Sequence, residues 1–421
     1  MGRRLIAAET RQSLIVIAPT QTSKTTGLAI PALLEWDGPV LATSVKTDLV
    51  RDTLAHRRQL GDVKIYDPTG VTGLPAAGWT PLSGCTNWTG ARRTAERLAR
   101  AAQPARASNE SEFWAKSGAR FLAPLLFAAA CNGKSMRDVV RWIDTDAQER
   151  VADLLDGTVY DAPSPASDDG VAAALAAVQA VWQADDRLRS SLYMTASVAL
   201  DAYNDPTIAD SAASAELTSA WLLNGRRNAA FLCATADEQQ RLRPLFVTLL
   251  EEVVAEVTAR AAATGAPLDP PLLIVLDEAA NIAPLPHLDA LASTGAGQGI
   301  QLVTVVQDLA QMHRQWPGAA ETIVNNHRAK LIGSGISCPT TIQYVGRLLG
   351  EQEERQLSTS IGSDGRRSRT DAPAWRPLAP ANALRQSRAG DAVLIYGNLP
   401  PAWTKLRPWF RDRALRRLAR G

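Results

Sequence analysis

The chain has 421 residues, 46% hydrophobic and 21% charged, an ordinary globular composition with room for two or three domains. A net charge of +2 excludes a uniformly basic surface, so a nucleic-acid partner would need local patches. The four cysteines (Cys85, Cys131, Cys233, Cys338) and the four histidines have no ligand spacing, which argues against a zinc-type centre and for a reducing compartment.

The first predicted unit is strand, loop, helix. Ser13 to Ala18 is a short β-branched run of the buried parallel-strand type, and Thr25 to Trp36 has helical spacing, with Pro31 expected to kink or shorten the helix. Between them stands APTQTSKT. A phosphate-binding loop reads G-x-x-x-x-G-K-[ST], and here Ala18 and Ser23 replace both glycines while Lys24 and Thr25 keep their places. Such a loop works because main-chain N–H groups at a helix N-terminus converge on phosphate oxygens. Thr20, Gln21, Thr22, Ser23, Lys24, Thr25 and Thr26 are the candidate nucleotide-binding residues. Lys24 would reach the β- and γ-phosphates of ATP, and the Thr25 hydroxyl would hold Mg²⁺. By itself the segment is equally a strand–turn–helix with an incidental lysine. A Cβ at residue 23 would cost roughly 1–2 kcal/mol if that backbone is left-handed.

A second strand (GPVLATSV), a helix ending at Gly61 and a third strand with a turn (VKIYDPTG) follow. Alternating strands and helices predict a mainly parallel sheet covered on both faces. The pattern then becomes Ala-, Leu- and Arg-rich with helical periodicity, broken by TVYDAPSPASDDG, which reads as a loop. Its arginines Arg92, Arg93, Arg97, Arg100 and Arg106 are either a nucleic-acid patch or a solvated helix face. The longest apolar run, Phe121 to Cys131, is shorter than the roughly 20 residues of a membrane helix. No leader is visible at the start, so the expectation is a soluble chain. Strands resume with AAFLCAT, PLLIVLDEA, IQLVTVVQD and AKLIGSG. The expected organisation is therefore an α/β nucleotide-binding domain (1–88 and 223–421) interrupted by an all-α insertion (89–222). GSDGRRSRTDAPAWRP reads as a loop, with Arg366, Arg367 and Arg369 solvated; DAVLIYGNL is a late strand, and a basic helix or tail closes the chain.

PLLIVLDEAANI ends an apolar strand on Asp277-Glu278, the Walker B arrangement. Asp277 would hold Mg²⁺ through water, and Glu278 would polarise the attacking water. Gln307, just past the next strand, is either a γ-phosphate sensor or a polar strand-end cap. The loop-like Lys-Thr and a downstream strand ending Asp-Glu support each other far more than either stands alone.

In this order, APTQTSKTTGLAIPALLEW, GPVLATSVKTDL, YDPTG, GWTPL, LIVLDEAANIAPLP, STGAGQGIQLVTVVQDLAQ, NNHRAKLIGSG and DAVLIYGNLPPAWTKLRPWF resemble the conjugative type IV coupling proteins, RecA-like hexameric P-loop ATPases. The resemblance runs through nearly the whole chain and is weakest in the helical segment. It implies ATP and Mg²⁺ as cofactors, with Lys24, Glu278 and Gln307 as catalytic residues. It also implies delivery of DNA or a relaxase–DNA substrate to a type IV secretion channel, from a homo-hexamer at the inner face of the cell membrane. DNA contact would be electrostatic and not sequence-specific, since no base-reading module is visible. Arg328 and Arg347 are candidates for an arginine acting in trans on a neighbouring subunit's nucleotide, against a plain structural role for each. Two departures are the altered loop and Ser44, where the family often has an acidic residue, although Lys46 and Asp48 remain. The third is the lack of the family's leading transmembrane helices, as in a truncated cytoplasmic portion or a soluble relative. Two other functions stay open: a non-hydrolysing nucleotide- or DNA-binding docking platform, and a cytoplasmic DNA translocase of the chromosome-segregation kind.

Overall fold

The computed structural model describes residues 5, 6, 9, 11–104, 109–157, 168–361 and 367–420. Among the described residues eleven strands run in chain order: β1 Leu14–Ile17, β2 Val40–Ser44, β3 Val63–Tyr66, β4 Ala229–Cys233, β5 Leu272–Leu276, β6 Ile300–Val306, β7 Ala329–Gly333, β8 Glu351–Ile361, β9 Arg367–Pro377, β10 Asp391–Tyr396 and β11 Ala402–Lys405. Nine of them form one sheet in the order β11-β10-β7-β1-β6-β5-β2-β4-β3. The seven from β7 to β3 are parallel, and β10 closes that edge antiparallel to β7, with β11 antiparallel to β10.

Every residue of β2, β4, β5, β6 and β7 is buried, as strands covered on both faces require; β4 and β5 are unbroken apolar runs, while β2, β6 and β7 also bury Thr43, Ser44, Gln301, Thr304 and Lys330. The pleat sends Ile15, Ile17, Leu272, Ile274 and Leu276 to one face, and Val16, Ala18, Leu273 and Val275 to the other. Over the second face lie the helices Ile30–Glu35 and Asp48–Leu60 and the closing helix Arg413–Arg420, whose Leu415 is buried there. The first face merges with the core of the helical segment. Between β3 and β4 the described residues hold helices and no strand, beginning with Trp88–Ala102 and Asn109–Cys131. Ser135 and Asp138 cap Met136–Asp144 reciprocally. Of the loop expected at 158–170, residues 158–167 lie outside the described residues, and Asp168 opens the helix Asp168–Trp182.

One expectation changes. From Arg367 to Pro377 the stretch read as a loop is a strand: β8 and β9 pair antiparallel over eleven residues each, from Glu351 opposite Pro377 to Ile361 opposite Arg367, and 362–366 lie outside the described residues. Arg367 and Arg369 are on β9, while Arg366 lies outside the described residues. The hairpin projects from the body, with Leu357 58% and Trp375 66% exposed. The arginine patch is also partly used up within the molecule. Arg100 pairs with Glu251 at 2.7 Å, and Arg97 is largely buried beside Glu251 and Glu252. Arg92 and Arg93 stay exposed, and Arg106 lies outside the described residues.

Pro31 does not break its helix; it changes what the helix binds. Proline has no N–H to return to the carbonyl four residues back. That carbonyl, Gly27 O, instead accepts from Arg407 N at 3.1 Å, and Ile30 N–H reaches back to Thr25 O, a wider π-type turn. Gly27 is required here because a Cβ would stand 2.8 Å from the Leu406 Cβ. Arg407 also pairs with Glu35 and Asp412 at 2.9 Å. The chain's last segment is thereby fastened to the helix that follows the loop.

Candidate nucleotide site

Because the strands are parallel, their C-terminal ends share one edge of the sheet. The Ala18–Thr25 loop leaves β1, Asp277-Glu278 leaves β5, and Gln307 leaves β6, which lies between those two. Ligands of open α/β sheets bind at this edge. Thr25 Oγ1 donates to Asp277 Oδ2 at 3.0 Å, joining residues 252 apart in sequence. A hydroxyl and a carboxylate in contact at a helix start form the oxygen pair a Mg²⁺ ion uses beside phosphates. Asp277 is buried, and that burial pushes its carboxyl up to about 6, with Glu278 and Asp48 adding to the effect and Thr25 opposing it.

The loop keeps the shape its motif requires without the glycines. Ser23 has φ 67° and Gln21 φ 62°, both left-handed. The condition for a penalty at residue 23 is therefore met, and Gln21 adds a second strained position that the pattern does not predict. Ala18 is accommodated by a neighbour: Gly333, at the end of β7, leaves the space in which a Cβ would come within 2.5 Å of the Ala18 Cβ. Thr22 Oγ1 closes the loop on Pro19 O at 2.8 Å. Lys24 Nζ donates to Ala18 O and Pro19 O, each at 2.6 Å, so the side chain arches over the loop. Burial lowers its pKa, as does Lys46, while Asp277 and Glu278 pull it back up. Among the described residues none accepts from the main-chain N–H of Gln21, Ser23 or Lys24. These free donors, a lysine and the Thr25–Asp277 pair fit a Mg²⁺-bound nucleoside phosphate.

Thr20 and Gln21 are exposed at the crest of the loop, and Thr26 is half-buried in the first helical turn. Ser44, in place of an acid, turns its hydroxyl to the Lys46 main chain. Glu278 has left-handed backbone (φ 56°, ψ 48°), and its Oε2 accepts from Asn281 Nδ2 at 3.1 Å. Asn281 Oδ1 accepts from Gln311 Nε2 at 2.9 Å, and Gln311 Oε1 accepts from Gln307 N at 3.0 Å. Sequence reading missed Asn281 and Gln311. Each is one helical turn beyond a predicted residue, which was a usable signal, but the bond between them is purely tertiary. The two candidate arginines were expected to act on a neighbouring subunit's nucleotide. Arg328 precedes β7 at the opposite edge of the sheet, with its guanidinium 5.3 Å from the Tyr396 ring centre. Arg347 is exposed near the end of the helix Pro339–Leu349.

Residues 3–419 match the family model described as Type IV secretory system Conjugative DNA transfer. The chain belongs to that family. It is 23% identical over 439 residues to a conjugal transfer protein TraG of Escherichia coli, covering 95% of this chain and 68% of that protein. It is 24% identical to protein VirD4 of Rhizobium rhizogenes, over 99% of this chain and 61% of the relative. The bacterial conjugative coupling protein TrwBdeltaN70, in complex with sulphate, superposes with a TM-score of 0.70 at 18% identity, covering 94% of this chain and 86% of the other. TrwB in complex with the ATP analogue ADPNP gives a TM-score of 0.69 at 18% identity, over 95% and 86% of the two chains. The expected RecA-like P-loop fold is the fold found. Among the described residues no helix is long and apolar enough to cross a membrane.

Proposed function

We propose that the chain acts as an ATP-driven conjugative coupling protein, which hands DNA or a relaxase–DNA substrate to a type IV secretion channel. The observation that carries this is the Thr25–Asp277 contact beside Lys24, within a member of the conjugative DNA transfer family. In this reading the loop N–H groups and Lys24 bind the phosphates, and Thr25 and Asp277 would hold Mg²⁺, which would supply positive charge beside the phosphates. Glu278 takes the proton of the attacking water, and Gln307 senses the terminal phosphate. The motor is a ring of six subunits at the inner face of the cell membrane, Arg328 or Arg347 serves a neighbour's nucleotide, and residues 89–222 form a helical domain of their own. DNA is held by phosphate contacts regardless of sequence.

The test is ATP hydrolysis by the purified chain with and without DNA. The expected result is slow hydrolysis that DNA accelerates and that Glu278→Gln abolishes. Mixing Glu278→Gln subunits into wild type should depress the rate more than in proportion to their share; strictly proportional loss would mean independent subunits. A second reading, a docking platform that binds nucleotide without hydrolysing it, is favoured by the left-handed Ser23 and Gln21 and by Lys24 arching onto its own loop. It survives if ATP binds and is never turned over.

A further inference from the structure

Between Glu278 and the end of β6 lies a relay of three hydrogen bonds whose polarity is set at both ends. The Gln307 main-chain N–H can only donate, so the Gln311 side chain meets it with Oε1, at 3.0 Å. The Gln311 amide must then present Nε2 to Asn281 Oδ1, at 2.9 Å. Asn281 is left with Nδ2 for Glu278 Oε2, at 3.1 Å, and an ionised carboxylate can only accept. Neither amide can flip without breaking two bonds. Bonds pointing one way along a half-buried chain polarise one another, and the last is donated to a charge. Other bonds hold the relay's frame. Asp308 Oδ1 caps the Gln311 N–H at 2.7 Å, and Asn281 N donates to Glu278 O at 2.9 Å.

We propose that Asn281 and Gln311 are positioning residues that hold the Glu278 carboxylate in register with the main chain at Gln307. The proposal rests on reading Glu278 as the base that activates water. With Oε2 bound to Asn281, the carboxylate plane is fixed and Oε1 is the oxygen left to take a proton. Glu278 needs such a guide because its backbone is in the left-handed region, where local structure does not aim the side chain along the strand. The relay also couples two ends of the chemistry. A shift of the β6 terminus when Gln307 meets the terminal phosphate moves the N–H that begins the relay, and the base moves with it. Hydrolysis then depends on whether the sensor position is engaged.

ATP hydrolysis by the full chain in the presence of DNA tests this on Asn281→Ala, Gln311→Ala, the double variant and the near-isosteric Asn281→Asp. Each single variant is expected to lower kcat by about tenfold, the worth of one bond to a charged group. KM and the calorimetric Kd for ATP should stay within about twofold of wild type, since the relay bonds only the main chain of Gln307 and none of Lys24, the loop N–H groups or the Thr25–Asp277 pair. The double variant should be no slower than Asn281→Ala, because Gln311 acts only through Asn281. Asn281→Asp keeps the shape and loses the donor, so it should be as slow as the alanine variant. Unchanged kcat in Asn281→Asp, losses that multiply in the double variant, or KM rising as much as kcat falls would each overturn the proposal. In those outcomes wild type still hydrolyses ATP and Glu278→Gln does not. A wild type no faster than Glu278→Gln overturns the base reading instead, and the relay's role with it.

Discussion

The parallel strands and the β8–β9 hairpin are both β-structure, yet they are held in opposite ways. Each residue of β5 is buried on a covered face and paired with β2 or β6 or both. The hairpin has eleven paired residues on each side and, among the described residues, no third strand, and its side chains Leu357 and Trp375 are open to solvent. A two-stranded ribbon without a packed face is marginal in water. It persists here as a graft on a body whose stability lies elsewhere. Hydrogen-bond pairing alone thus says little about where the folding energy resides; burial on both faces of the sheet supplies it.

The largest effect that sharpens this contrast should come from the centre of the sheet. Ile274→Ala opens a cavity in β5 and should cost about 3 kcal/mol in a denaturant titration. If it costs no more than a hairpin substitution, the contrast is wrong. Almost as large at its maximum is a pH effect from the same core. His327 is fully buried between Thr304 Oγ1 and Ile323 O, and burial drives its pKa from 6.5 down to about 4. Between those values the unfolded chain takes up a proton that the folded one refuses. This contribution is fully present above pH 6.5 and falls away as the pH drops towards 4, by up to about 3 kcal/mol. Melting temperatures measured across that window should decline in wild type and decline less in His327→Gln.

A smaller change is expected where the closing segment meets the loop helix. Gly27→Ala pushes Leu406 away and should destabilise by about 1–2 kcal/mol, despite the better helix propensity of alanine. It should also weaken ATP binding, whereas a hairpin variant should not. Smaller again is Ser23→Gly. It relieves a left-handed Cβ of roughly 1 kcal/mol and should tighten ATP binding by up to about fivefold in calorimetry. Least of all, Leu357→Ala and Trp375→Ala should leave stability within about 0.5 kcal/mol of wild type, since neither side chain is buried. A cost above 2 kcal/mol for either would show that the hairpin is packed in solution.

What could be read from residues alone was whatever burial imprints on local pattern. LIVI, AAFLC and LLIVL read as covered strands because an unbroken, β-branched-rich apolar run in a short segment is best placed there, and VLATS and IQLVTVV read the same way although they carry Thr, Ser and Gln. Lys24, Thr25, Asp277, Glu278 and Gln307 were legible because their chemistry sits at strand ends, a position the pattern marks. EQEERQLSTSI was not legible: from 351 to 359 both of its faces meet water, so no alternation exists to betray a strand. Nor could composition reveal that Arg97 and Arg100 face Glu251 and Glu252, or that Gly333 makes room for Ala18. Strand order was decided only in three dimensions. It brings residues 24–25, 277–278 and 307 to one edge by setting β6 between β1 and β5, and it leaves Arg328 at the other. Local pattern reports a residue's own environment; which distant partner supplies that environment is settled when the faces pack.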